Sequence, residues 1–301
     1  MSVSPPSESS GSLLLAGAYA LLVPGGRGVA LPWPPVVRTR VRPSQAWRLS
    51  VRDGGGVREA SVEALAAVAG RLGPYAIELD FGANPAGGTS ALACLAIARE
   101  FDADGAAALT RALGLHRALQ GGRGSGYDVT VSALRRPVAL ETDAAGLARA
   151  TPLSAAPALE VLVATGPKRG LTADWIARFE AVGRERPRDV AELVEGTSCA
   201  ADGMRGALER GEAPAMAEAL RDLSGLRPLV NDLLGGPYGA PLDDALVTAA
   251  KRLDVPAHPS GAAGDTWLAA HPDPGRLDAL ALAWRPLGVR VFRAACGAPS
   301  F

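Results

Sequence analysis

Apolar and polar positions alternate cleanly over residues 36–42, where Val37, Thr39 and Val41 interleave with Arg38, Arg40 and Arg42, and this spacing predicts a strand with one solvated, arginine-bearing face. Runs at 13–22, 47–52 and 75–81 also read as strands. Apolar residues recur with helical spacing over 61–72, 89–101 and 106–119. After an Ala/Pro/Ser-rich stretch at 150–157, an apolar run at 159–164 predicts a buried strand. Helical patterns then dominate, at 172–184, 189–210, 214–226 and 241–253. A last helix at 275–283 leads into an alternating strand at 288–294. No internal repeat is visible. This mixture predicts an α+β protein in two lobes, residues 11–157 and 158–301, behind a Ser/Pro-rich tail at 1–10 expected to be disordered.

Composition removes several function classes. The 301 residues are 48% hydrophobic and 21% charged, as in packed globular proteins. Thirty-one basic side chains offset thirty-one acidic ones, so net charge supplies no attraction to nucleic acid or to an anionic membrane. The basic residues are nearly all arginine, with Lys168 and Lys251 the two lysines. Cys94, Cys199 and Cys296 are too dispersed for a disulfide framework, and the first apolar run is too short to span a bilayer. The segment before that run carries Glu8 and no Lys or Arg, unlike a signal peptide. The expectation is a cytoplasmic protein without membrane or nucleic-acid partners, with a homodimer left open.

Candidate chemistry concentrates in three glycine-rich loops. Residues 84–91, Asn-Pro-Ala-Gly-Gly-Thr-Ser-Ala, run straight into an apolar helix. Small residues there let backbone N–H groups and the positive end of the helix approach an anion, and Thr89 and Ser90 add hydroxyls. Residues 120–129, Gln-Gly-Gly-Arg-Gly-Ser-Gly-Tyr-Asp-Val, carry four glycines in six residues ahead of Asp128. Residues 259–265, Pro-Ser-Gly-Ala-Ala-Gly-Asp, offer successive small residues that can present backbone N–H groups to an anion as a nest. Each loop also admits a plain structural role as a helix cap, a linker or a tight turn. Neither a Walker loop nor a dinucleotide fingerprint occurs. His116 and His258 flank the loops as secondary candidates. Trp175 and Trp267 read as core or lobe-interface residues.

Taken in order, these segments resemble the GHMP kinase superfamily, most closely its phosphomevalonate kinase branch. Residues 11–22, Gly-Ser-Leu-Leu-Leu-Ala-Gly-Ala-Tyr-Ala-Leu-Leu, are similar to the family's P-G-K-L-L-L-x-G-E-Y-A-V-L motif. Gly88-Thr89-Ser90-Ala91 is similar to its G-S-S-A, residues 120–129 to Q-G-G-K-G-S-G-x-D-V, and residues 259–265 to P-S-G-A-G-G-G-D. Thr165-Gly166 followed by Leu171-Thr172 sits where a strand–T-G–S-T–helix element would lie.

The resemblance implies a βαβ N-terminal lobe, a ferredoxin-like C-terminal lobe and ATP with Mg²⁺ as cofactors. It implies nucleotide contacts from Ala86, Gly87, Gly88, Thr89 and Ser90, with Ser90 as the magnesium ligand. Asp128 would be catalytic with Arg123 beside it. Ser12, Gly124, Ser125, Gly126, Ser260, Gly261 and Ala262 would meet the substrate. The activity implied is phosphoryl transfer from ATP to 5-phosphomevalonate.

The chain departs from the motifs at Ser12, where the family has lysine, at Ala18, where it has glutamate, and at Arg123, which keeps a positive charge in place of lysine. These departures keep two alternatives open: a GHMP-fold protein that binds a partner without catalysis, and a related kinase such as mevalonate kinase.

Overall fold

The computed structural model describes residues 7–34, 36–84, 87–154, 159–167, 172–261 and 264–297. The chain opens with strands β1 (Ser7–Ser9), β2 (Ser12–Ala16), β3 (Arg27–Pro32), β4 (Val37–Pro43), β5 (Arg48–Asp53) and β6 (Gly56–Ala60). Helix α1 (Glu63–Ala69), strand β7 (Tyr75–Asp80) and helices α2 (Thr89–Phe101), α3 (Gly105–Leu119) and α4 (Tyr127–Leu134) follow. Next come β8 (Val138–Thr142), β9 (Ala148–Pro152) and β10 (Glu160–Thr165), then α5 (Thr172–Glu185), α6 (Pro187–Arg210), α7 (Ala213–Gly225), α8 (Arg227–Leu234) and α9 (Pro241–Arg252). Strands β11 (Ala257–Ser260) and β12 (Thr266–Ala269), helix α10 (Pro274–Trp284) and β13 (Arg290–Ala295) complete the chain.

Two compact units share these elements. The first holds the described residues up to Leu13 together with Leu31–Arg136; the second holds Leu14–Ala30 and the described residues from Pro137 onward. The boundary expected near residue 157 therefore falls inside the second unit.

In the first unit, a five-stranded sheet runs in the order β1-β4-β7-β5-β6. Strands β5 and β7 are parallel, joined through β6 and α1, and the other pairings are antiparallel. The alternation predicted for β4 is observed: Val37, Thr39 and Val41 are buried, and Arg38, Arg40 and Arg42 face solvent. Arg40 and Arg42 pair with Glu78 on the adjacent strand, so the arginine row is a solvated sheet face. Helix α2 is buried from Ala91 to Ala98, with alanines at four of those eight positions allowing close approach of its neighbours. Ile77, Leu79 and Phe81 pack into the same core.

Residues 7–9 correct the expectation of a disordered tail reaching residue 10. They pair with β4, the Ser7 and Thr39 hydroxyls bond at 2.6 Å, and Arg99 donates to the Ser9 hydroxyl at 2.7 Å. A short polar edge strand is held by main-chain pairing, which leaves no hydrophobic period to read.

The second unit contains two four-stranded sheets. One has the order β2-β3-β8-β9. The run at 13–22, expected as one strand, ends at Ala16 and turns into a single helical turn at Ala20–Leu22. The other sheet is antiparallel with the order β11-β12-β10-β13. Its path, strand–helices–strand–strand–helix–strand with β10 between β12 and β13, is ferredoxin-like. Helices α9 and α10 cover it through Leu246, Leu280 and Trp284, which share a core with Trp267 of β12. Trp267 is thus a core residue. Among the described residues, no helix is long and apolar enough to cross a membrane.

Candidate functional site

Two of the glycine loops meet in the first unit. Helix α2 starts from Gly88, whose left-handed backbone (φ 63°) lets the chain turn sharply into the helix with no side-chain cap. Helix α4 starts in the same way from Gly126 (φ 72°), where a Cβ would lie 2.5 Å from Leu113 Cδ2. Asp128 therefore sits in the first turn of α4, and Thr89 and Ser90 in the first turn of α2. Helix α3 stops at Gln120, and Gly121 and Gly122 bond back to its last carbonyls, so these two glycines serve as its terminator. Arg123 is exposed on the loop, Gly124 lies beside the Gln120 side chain, and Ser125 is buried.

Ser12 is where the segments converge. Its hydroxyl donates to Asp128 Oδ1 at 2.8 Å, and its Oγ lies 3.4 Å from where a Cβ on Gly88 would stand. Ser90 Oγ lies 3.2 Å from His116 Nε2. Burial holds the His116 pKa below that of an ordinary histidine, while the negative charge of Asp128 pulls it upward. The outcome is a polar floor of Ser12, Asp128, His116 and Ser90 beneath the bare start of α2, whose N–H groups and dipole favour an anion.

The third loop lies in the second unit. The Ser260 hydroxyl is buried and donates to the Leu14 carbonyl at 2.7 Å, tying β11 to β2. Tyr238, which the sequence pattern did not single out, supports both described ends of the loop. Its hydroxyl donates to the Gly261 carbonyl at 2.7 Å, and a Cβ on Gly264 would lie 2.9 Å from its ring. Tyr238 in turn packs near Tyr19, which stacks on Phe179 with centroids 5.3 Å apart. A Tyr-Gly pair before a helix was the available signal. Ala86 and Ala262 lie outside the described residues.

His258, a candidate for ligand contact, packs edge-on against Tyr238 and is buried. Burial, reinforced by repulsion from Arg227, lowers its pKa to about 3. The folded state thus binds fewer protons than the unfolded chain between roughly pH 6.5 and 3. The stability contributed by neutral His258 is complete above pH 6.5 and is lost as pH falls, at up to about 1.4 kcal/mol per pH unit. Urea midpoints of the protein and of His258→Gln, compared between pH 7.5 and 5, are expected to differ in slope. Parallel acid limbs would remove His258 from the acid sensitivity.

Among the described residues, no three His, Cys, Asp or Glu side chains form a metal-binding group. A magnesium ion would fit this donor set only as it does in nucleotide sites, on one carboxylate together with phosphate oxygens.

No protein-family model matches the sequence, and no curated protein matches it. Solved structures do. L. major mevalonate kinase in complex with R-mevalonate is similar with a TM-score of 0.75 and 14% identity, over 98% of this chain and 97% of that one. Streptococcus pneumoniae phosphomevalonate kinase in complex with phosphomevalonate and AMPPNP gives 0.70 and 17%, over 97% and 100%. Lactococcus lactis galactokinase complexed with galactose gives 0.65 and 15%, over 97% and 93%. Spanning nearly the full length of each, the chain has the α+β fold of the GHMP kinases.

Proposed function

We propose that the chain is an ATP-dependent small-molecule kinase that phosphorylates 5-phosphomevalonate to 5-diphosphomevalonate, a step towards isoprenoid precursors in the cytoplasm. The observation that carries this reading is Asp128, oriented by Ser12 next to the uncapped start of α2. Similarity to a phosphomevalonate kinase and the branch-like form of the loops at 120–129 and 259–265 support the choice of acceptor.

Phosphoryl transfer needs alignment and charge neutralisation more than covalent help from the protein. The N–H groups at Gly87, Gly88, Thr89 and Ser90 would hold the triphosphate. Magnesium, carried in with the nucleotide and met by Asp128 and Ser90, would offset charge on the transferring group. A phosphate acceptor with a second pKa near ~6 is largely ionised at neutral pH, so Asp128 orients it instead of taking a proton. Arg123 supplies the cation that two approaching anions require, with Gly124, Ser125 and Gly126 shaping the acceptor side. Ser260 and Gly261 are assigned to the acceptor by the resemblance alone, and the Ser260 hydroxyl is already given to Leu14.

The Ser12 hydroxyl orients Asp128 where the related kinases carry a lysine charge. Ser12→Ala is expected to lower kcat about tenfold by releasing one charge-assisted hydrogen bond, with KM for MgATP changed less than about twofold. Steady-state kinetics check this, and an unchanged kcat would leave Ser12 without a role in orientation.

A second reading follows from the same residue. With a neutral hydroxyl at position 12 and Ala18 in place of glutamate, the fold would bind a ligand or partner without turnover. ADP release from MgATP, with 5-phosphomevalonate and mevalonate offered separately, distinguishes the readings. Turnover on the phosphorylated acceptor alone supports the proposed reaction, and turnover on mevalonate alone reassigns the substrate. Silence with both, in folded protein, favours binding without catalysis.

A further inference from the structure

We propose that His116 donates its Nε2–H to Ser90 Oγ, and that Ser90 consequently turns its own hydroxyl proton to a phosphate oxygen of the ligand. The inference rests on the reading of the α2 start as the nucleotide site, and it narrows what Ser90 does there.

The contact alone, 3.2 Å between Ser90 Oγ and His116 Nε2, allows a proton on either atom. The other ring nitrogen decides between them. His116 is 2% exposed, and its Nδ1 has no hydrogen-bond partner among the described residues. A neutral ring with its proton on Nδ1 would bury an N–H with no acceptor, the rarest kind of unsatisfied group in folded proteins. With the proton on Nε2, Nδ1 is only an unused acceptor and the N–H is satisfied by Ser90. A charged ring also donates from Nε2, so the direction of the bond does not depend on the charge of the ring.

Ser90 then has one lone pair engaged by His116 and directs its own O–H elsewhere. It stands exposed in the first turn of α2, on the same helix end as the uncapped backbone N–H groups. A hydroxyl proton added to those donors makes a surface of donors that matches phosphate oxygens. His116 is thus a positioning residue acting through Ser90.

Two measurements test this. In ¹⁵N-labelled protein without nucleotide, the ring signals of three histidines are separable, and His258→Gln and His271→Gln identify those of His116 by elimination. The expected pattern has the proton on Nε2; a neutral ring protonated on Nδ1 overturns the proposal. Ser90→Ala is then titrated with inorganic tripolyphosphate, with magnesium and with EDTA. A loss of affinity of about tenfold in both conditions is expected for a hydrogen bond to an anion. A loss confined to the magnesium titration would identify Ser90 as a metal ligand and overturn the proposal. Failure of the unmodified protein to bind tripolyphosphate overturns its anion half. The kinase reading fails separately, on absent turnover, while the ring measurement still reports the direction of the bond.

Discussion

Replacing Asp128 with asparagine is expected to lower turnover in the proposed reaction about 10³-fold and to leave MgATP affinity within about threefold. The substitution keeps the size of the side chain, and the amide oxygen can still accept from Ser12, 2.8 Å away in the native protein. What it removes is the negative charge at the start of α4 that, in the proposed reaction, would orient magnesium and acceptor. The triphosphate contacts are assigned to backbone N–H groups of α2, which the change does not touch, so nucleotide binding survives. Helix α4 loses a favourable charge in its first turn, a cost below about 1 kcal/mol. Stopped assays of kcat and KM, with calorimetric titration of MgATP on the same samples, separate the two effects. Turnover within tenfold of the native protein would take Asp128 out of the mechanism.

Trp267→Ala is expected to cost about 5 kcal/mol of stability, and Trp267→Phe about 2. The indole lies in β12 with 1% of its surface exposed and packs among Leu162, Leu246 and Leu280. Truncation to alanine removes that burial and leaves a cavity. The indole N–H also donates to Asp243 Oδ1 at 2.9 Å, while Asp243 Oδ2 accepts from the Ala240 backbone at the start of α9. Phenylalanine fills most of the space but takes this donor away from a carboxylate with no solvent exposure. Urea unfolding of the three proteins measures both costs. If the phenylalanine protein matches the native one, the indole–carboxylate bond contributes nothing, and equal losses in the two variants would assign the whole effect to that bond.

Local periodicity made much of the architecture legible. The interleaved Val37, Thr39 and Val41 gave β4 its buried face, and the apolar stretch after Gly88 gave α2. Gly88 also stood where the helical pattern over 89–101 begins, whereas α4, which starts from Gly126, was not among the expected helices. The chain's long-range pairings were not legible. Strands β8 and β9 are short and mixed in polarity, and they stand as strands because β3 lies against β8. Ser7–Ser9 needs β4 in the same way. Within the candidate site, the bond from Ser12 to Asp128 joins positions 116 apart, and the contact of Ser90 with His116 depends on how α2 and α3 pack. Tyr238 escaped notice because a buried tyrosine looks like any core aromatic until its hydroxyl is seen to meet the Gly261 carbonyl.

The division of the chain between its two compact units has a consequence for its synthesis. Leu14–Ala30 emerges from the ribosome early, yet belongs with Pro137 and beyond. The apolar strand β2 and its neighbour β3 must wait for β8, while the whole of Leu31–Arg136 is translated and begins to pack. The Leu14 carbonyl meets the Ser260 hydroxyl only when 246 further residues have been made. Closing such distant contacts is slow, and the waiting hydrophobic segment is open to wrong partners throughout. The segment Leu14–Ala30 is therefore the part of the nascent chain exposed longest to wrong pairing, until the residues from Pro137 onward have been made.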